Sequence, residues 1–266
     1  MLIKGKTGKV ALSSELPANE AFLASLCNAI ETHNAKKGKS PSTSYAPSGL
    51  NCIRSMYYRR RGTPMDVEPF SYGDIGAADT GTRRHEAIQA VLEYMNTTGG
   101  RFLYIDVARY VEEKQKRGKC LQLVVTGKHG AETELWDKER NVKFRCDGII
   151  YDTLDKKFYL FEFKNQISFK AAGKQEVDAA HYCQVICYCM ELDLNEAFVT
   201  YENRDDCTLY VPQVFQVSEY DKQMIRNKID ECEDMAKHGN VPAKPSNLAP
   251  SDCRYCKYKS TCKADS

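Results

Sequence analysis

The sequence predicts an α/β fold, a mixed sheet flanked by helices, and three observations carry that expectation. Residues 142–151 and 157–164 read as two strands joined by a short turn at 152–156. Helical spacing brackets them, with Phe22, Leu23, Leu26 and Ile30 in 19–32 and Met224, Ile225, Ile229, Cys232 and Met235 in 220–237. A helical stretch at 178–192 then separates the strand pair from two further short strands, 197–201 and 209–217.

The remaining elements follow from local signals. Residues 36–47 are rich in Lys, Ser, Pro and Gly and read as a loop. Ser48 can cap a helix through Leu50, Ile53, Met56 and Tyr57. Residues 62–76 look irregular, and Thr82 can cap a helix whose stripe is His85, Ile88, Leu92 and Met95, ended by Gly99-Gly100. From 101 to 163 the pattern favours strands. Three prolines in 239–250 mark a linker, and 251–266 is cysteine-rich. The expected organisation is an N-terminal helix and loop (1–47), a core (48–250) and a C-terminal cysteine segment (251–266).

With 266 residues, 42% of them hydrophobic, the chain can bury a core without disulfide staples. The net charge of +2 does not by itself indicate a polyanionic partner. Two basic clusters stand out, Arg54, Arg59, Arg60 and Arg61, and Lys114, Lys116, Arg117 and Lys119; a solvated face is the plain alternative for both. No run approaches the ~20 apolar residues of a bilayer span, and no apolar signal core follows the first lysines. A cytoplasmic protein with no membrane association is expected. The 12 cysteines then point towards metal binding rather than disulfides, although a free cysteine is also an ordinary small core residue.

The chemical signal is Asp147, fourteen residues, then Glu162-Phe163-Lys164. Alternation along a strand puts Glu162 and Lys164 on one face and Phe163 on the other. A charged pair interrupting an apolar strand is costly unless it is paired or binds a metal. Hard oxygen ligands such as Asp147 and Glu162 suit Mg²⁺ or Mn²⁺, which acidifies a bound water and polarises a phosphoryl oxygen. Lys164 can orient that water or offset developing charge. The competing reading is a structural ion pair on a hairpin. Gln184 and Tyr188, at i and i+4, share a face of the next helix with His181, and His85 lies on the inward stripe of its own helix.

Together these residues resemble a known family. Gly81-Thr82-Arg83-Arg84-His85, Asp147-Gly148, Glu162-Phe163-Lys164 and Gln184-x-x-x-Tyr188 occur in the order of the RecB-like branch of the PD-(D/E)xK nucleases, a resemblance running from about Ser48 onward. It implies a restriction-endonuclease-like core with His85, Asp147, Glu162 and the Phe163 carbonyl as metal ligands. It also implies Lys164 as the catalytic lysine, with Gln184 and Tyr188 positioning the lysine or the strand. Cys146 stands where the family's named proline would be.

Cys253-Arg-Tyr-Cys256 is followed after five residues by Cys262. Such spacing suits one metal centre lacking a fourth ligand. Ser48, Leu50, Cys52, Arg54, Tyr57 and Tyr58 resemble a segment of iron–sulfur nucleases of the same branch, among them AddB-type domains and CRISPR-associated exonucleases. The resemblance implies a 4Fe–4S cluster on Cys52, Cys253, Cys256 and Cys262, stapling the two ends of the chain; a zinc site on the same ligands stays open. The other eight cysteines read as packing.

The resulting expectation is a Mg²⁺- or Mn²⁺-dependent, single-strand-preferring DNA exonuclease of repair, recombination, phage replication or CRISPR adaptation. Arg54, Tyr57, Tyr58 and Arg59 are expected to contact the strand, with packing of the staple as the alternative for the tyrosines. No Walker loop occurs, so unwinding would fall to a helicase partner. Homo-oligomerisation is neither predicted nor forbidden. The rival class is a catalytically silent nuclease fold that binds DNA or assembles a complex.

Overall fold

The computed structural model describes residues 17–35, 42–66, 72–115, 121–126, 133–167, 176–248, 253 and 256–265. Along the chain come α1 (Ala18–Ala35), α2 (Ile53–Arg60), α3 (Tyr72–Met95), β1 (Phe102–Ile105), α4 (Val107–Gln115), β2 (Leu121–Val125), β3 (Glu134–Asp137) and β4 (Val142–Arg145). Then follow β5 (Gly148–Asp152), β6 (Lys157–Gln166), α5 (Ala179–Leu192), β7 (Glu196–Asn203), β8 (Leu209–Tyr210), β9 (Phe215–Gln216), α6 (Glu219–His238) and α7 (Lys259–Ala264).

Six strands form a mixed sheet in the order β1-β5-β6-β7-β8, with β9 on the other end of β7. The β6–β7 pair is parallel and the others are antiparallel. A parallel pair needs a crossover, and α5 supplies it. A second, antiparallel sheet has the order β2-β3-β4.

Alternation along β6 divides the core in two. Tyr159, Phe161 and Phe163 pack with Leu92 of α3, Tyr104 and Ile150. Leu160 joins the larger cluster, in which Val185, Cys187 and Cys189 of α5 meet Ile225, Ile229 and Cys232 of α6 and Met56, Tyr57 and Tyr58 of α2. The central helices are capped as their sequences allow. Asp178 accepts from Ala180 N at the start of α5, Ser218 and Asp221 form a capping box on α6, and Gly239 ends α6 at φ 76°.

Several expectations change. The strand expected over 142–151 is two strands in different sheets, broken at Cys146-Asp147. Gly148 permits the crossing, because a Cβ there would lie 2.8 Å from Tyr104 Cε2. The stretch expected as strand from 101 contains a helix, α4, with Val107, Ala108, Tyr110 and Val111 buried. Thr82 does not start α3, which begins at Tyr72; the Thr82 hydroxyl bonds back to Ala78 O at 3.1 Å. Packing on α1 and burial of Ile75 override the low helix propensity of the local glycines.

Ser48 lies in a short 3-10 turn, and α2 starts after Cys52, which is its N-cap residue rather than part of the helix. The segment expected as strand at 209–217 is two two-residue strands, with Pro212, which lacks an N–H, between them. In the loop after α1, Tyr45 bridges to Val142 and is buried. Lys116, Arg117 and Lys119 of the second basic cluster lie outside the described residues. No helix among the described residues is long and apolar enough to cross a membrane.

Candidate active site

The break between β4 and β5 delivers Asp147 to the edge of β6. Its Oδ2 accepts the Phe163 backbone N–H at 2.8 Å, and Oδ1 lies 3.0 Å from His85 Nδ1. His85 reaches it from α3, with its ring edge-on to Phe163 at 5.1 Å between centroids. Asp147 is thus held by the strand that bears the other two predicted residues.

Glu162 and Lys164 share the α5-facing side of β6, as alternation requires. Lys164 Nζ donates to Glu162 Oε1 at 2.7 Å and to Gln184 Oε1 at 3.0 Å. Gln184 Nε2 donates to Glu162 Oε1 at 2.9 Å and to Tyr188 OH at 2.9 Å. The i, i+4 pair on α5 therefore meets the strand pair in one hydrogen-bonded chain. Tyr188 is buried against Phe144, with ring centroids 5.3 Å apart. His181, one turn earlier on α5, contacts Tyr201 OH at 3.0 Å instead.

Glu162 is 3% exposed and Asp147 7%. Burial pushes the Glu162 carboxyl up from its ordinary range; Lys164 pulls it back and the charge of Asp147 adds to the rise. For His85, burial acts to lower the imidazole pKa, but the bond to Asp147 and the charges of Asp147 and Glu162 outweigh it and raise the value. One buried carboxylate thus pairs with an ammonium and the other with an imidazole whose protonated form it favours. Among the described residues no three His, Cys, Asp or Glu side chains form a ready metal-binding group. The carboxylate oxygens are engaged instead with His85, Phe163 N–H, Lys164 and Gln184.

The segment expected to contact a strand is placed differently. Arg54, Tyr57 and Tyr58 are 5%, 6% and 2% exposed. Arg54 Nε donates to Tyr58 OH at 3.1 Å and Nη2 to Asp265 O at 2.6 Å, while Tyr58 OH donates to Asp265 Oδ2 at 2.7 Å. Arg59 Nε donates to Ser44 O. As they stand, Arg54 and Tyr58 tie α2 to the C-terminal segment, and Tyr57 packs edge-on to Tyr58; buried side chains offer no face to a base or phosphate.

Cys52, Cys253, Cys256 and Cys262 are all partly buried free thiols. Burial raises the Cys52 pKa, and Cys256 and Cys262 add to the rise; among the described residues the four thiols do not gather into a metal-holding group.

A charge cluster that sequence reasoning did not single out lies beyond Lys164. Glu202 on β7 is fully buried and takes a fork from Arg84, with Nε at 2.8 Å from Oε1 and Nη2 on Oε2. Asn165 Nδ2 donates to the same Oε1 at 2.8 Å. Its one sequence signal is a carboxylate directly following the apolar run of β7. A cleft of about 550 Å³ elsewhere, lined by Glu93, Asn96, Tyr104, Tyr110 and Phe158 among others, includes none of the site residues.

No protein-family model matches the chain, and no curated protein does. Among solved structures it is similar to SSO0001, at 14% identity over 92% of this chain and 98% of that one, with a TM-score of 0.47. It is also similar to an alkaline exonuclease (LHK-Exo) from Laribacter hongkongensis, at 10% identity over 75% of this chain and 91% of that one, again with a TM-score of 0.47. Likenesses this distant carry no functional argument; the site rests on its own geometry.

Proposed function

We propose that the chain is a metal-dependent nuclease hydrolysing phosphodiester bonds in DNA, with Asp147, Glu162 and Lys164 at its centre. The observation that supports it best is the hydrogen-bonded assembly joining Lys164 to Glu162, Gln184 and Tyr188 beside the His85–Asp147 pair. A structural ion pair needs only Glu162 and Lys164. It leaves unexplained a second buried carboxylate and an imidazole at the same strand edge.

The donor types, two carboxylates with an imidazole and a backbone carbonyl close by in sequence and space, suit a hard divalent cation once the hydrogen bonds that now engage them are exchanged for it. His85, Asp147, Glu162 and the Phe163 carbonyl would hold Mg²⁺ or Mn²⁺. When bound, such a cation polarises a phosphoryl oxygen and acidifies water. Lys164 offsets the charge that develops on the phosphate and orients the attacking water. Gln184 keeps the ammonium in place, and Tyr188 keeps Gln184 in place. Within this reading the protein is a single-strand-preferring exonuclease, serving repair, recombination, phage replication or CRISPR adaptation with a helicase as partner.

The reading extends to a 4Fe–4S cluster, or zinc, on Cys52, Cys253, Cys256 and Cys262. The electrostatic influence of Cys256 and Cys262 on Cys52 supports it, and such a centre would close a very long loop between the chain ends.

The test is an anaerobic purification with metal analysis, then incubation with end-labelled single-stranded and duplex DNA, with Mg²⁺ or Mn²⁺ and with chelator. Expected are a brown protein, cleavage of single strands only with added metal, and none by Asp147→Ala. Cleavage by Asp147→Ala at the wild-type rate overturns the active-site assignment. A colourless, zinc-containing protein that cuts retains the nuclease and removes the iron–sulfur cluster. A protein that binds DNA and never cuts it belongs to the silent assembly class.

A further inference from the structure

The parallel strands β6 and β7 end together, and ligands of open α/β sheets gather outside the carboxyl ends of parallel strands. Two residues beyond those already assigned bring positive charge to this end. Arg84, adjacent to His85 on α3, forks onto buried Glu202, while Arg204 forks onto Asn165, the residue after Lys164. Arg204 Nε donates to Asn165 Oδ1 at 2.7 Å and Nη2 to Asn165 O at 3.1 Å. Asn165 in turn donates to Glu202, so its amide links Arg204 to the carboxylate that Arg84 binds directly.

We infer that Arg84 and Arg204 form a phosphate subsite that holds a backbone phosphate of the nucleic-acid strand neighbouring the one cleaved at Lys164. This rests on the nuclease reading and names how that site grips its substrate. Neutralising Glu202 requires one guanidinium, and Arg84 provides it; Arg204 brings a second guanidinium to the cluster, with Asp205 and Asp206 following it in the turn. In both arginines these bonds use Nε and Nη2, on the inner edge of the fork, and neither uses Nη1. The Arg84 side chain is 35% exposed although its carboxylate partner is 1% exposed, so one edge is anchored in the core while the other meets solvent. A guanidinium fixed on one edge and open on the other is preorganised for phosphate, with little rotamer freedom left to lose.

The placement follows from alternation. Lys164 faces α5 and Asn165 faces α3, one residue further along β6. A strand crossing the ends of β6 and β7 therefore meets the ammonium on one side and the two guanidiniums on the other.

Arg204→Gln is the primary variant, because it leaves the Arg84–Glu202 pair intact. Wild type and variant would be titrated, in chelator, against a labelled single-stranded oligonucleotide at several salt concentrations. The subsite predicts roughly 5- to 10-fold weaker binding and a salt slope smaller by about one, with an unchanged melting temperature. The double variant Arg84→Met/Glu202→Gln, which removes both charges together, should weaken binding further. Unchanged affinity and slope in both variants overturn the subsite even if the wild type cleaves DNA. Arg204-dependent binding by a protein that never cleaves with Mg²⁺ or Mn²⁺ keeps the subsite and removes the hydrolytic reading.

Discussion

Asp147 Oδ2 accepts the Phe163 backbone N–H at 2.8 Å, so the carboxylate is registered by the strand that carries Glu162 and Lys164. An amide in its place can still accept from Phe163 N–H while losing the negative charge. Asp147→Asn should therefore melt within a few degrees of the wild type and lose cleavage by at least about 100-fold. Comparing thermal unfolding with cleavage of labelled DNA checks both halves.

Gln184 hydrogen-bonds to Glu162, Lys164 and Tyr188 together. Its truncation in Gln184→Ala frees the ammonium without breaking the fold. Cleavage should fall about 10- to 100-fold, the range expected when a partner orienting a site residue is removed. Tyr188→Phe, which loses only the bond to Gln184, should cost less. An equal loss in both would mean that the phenol itself acts on the substrate.

Tyr58 OH joins Arg54 to Asp265. Tyr58→Phe should destabilise the protein by about 1–2 kcal/mol, since buried Arg54 loses its hydrogen-bond acceptor. Oligonucleotide affinity should stay at the wild-type value. Weaker binding at unchanged stability would restore the strand-contact role expected from sequence.

Gly148 lies so close to Tyr104 that a Cβ would sit 2.8 Å from the ring, with Leu92 Cδ1 at 3.9 Å. Tyr104 is itself 4% exposed and has little room to retreat. Gly148→Ala should cost roughly 1–3 kcal/mol by overpacking, read from the denaturation midpoint. The double variant Gly148→Ala/Tyr104→Leu should recover part of the loss.

Glu191 on α5 has a buried Oε1 that no donor among the described residues reaches, and the Asp137 carboxyl stands beside it. Burial, then the charge of Asp137, pushes the Glu191 carboxyl up from 4.5 to about 8. Between these values the folded state binds a proton that the unfolded state releases, so this group makes stability fall as pH rises through the window. Glu191→Gln should flatten that slope and stabilise the protein at pH 8 by roughly 1–3 kcal/mol, with little change at pH 4.5. Urea unfolding at several pH values is the measurement; parallel stability curves for the two proteins would place the carboxyl in water.

Most of the site was legible because its residues follow a local period. Glu162 and Lys164 share a face at spacing two, Gln184 and Tyr188 at spacing four, and α6 announces itself by its apolar stripe. The break at Asp147 was not legible, since 142–151 alternates like one strand and its halves differ only in the distant strands they pair with, β3 for one and β1 and β6 for the other. Nor was the start of α3, where packing on α1 outweighs the propensities of Gly73, Gly76 and Gly81.

The sequence alone thus determined the α/β class, the faces of its main strands and helices, and the residue types of the candidate site, all of which depend on neighbours within a few positions. Only the tertiary structure decided that Arg54, Tyr57 and Tyr58 are buried, and that Arg84, Asn165, Glu202 and Arg204 meet at the ends of β6 and β7. Those outcomes depend on which distant segment each side chain encounters. A guanidinium reads the same in sequence whether it meets solvent or a buried carboxylate 118 residues away.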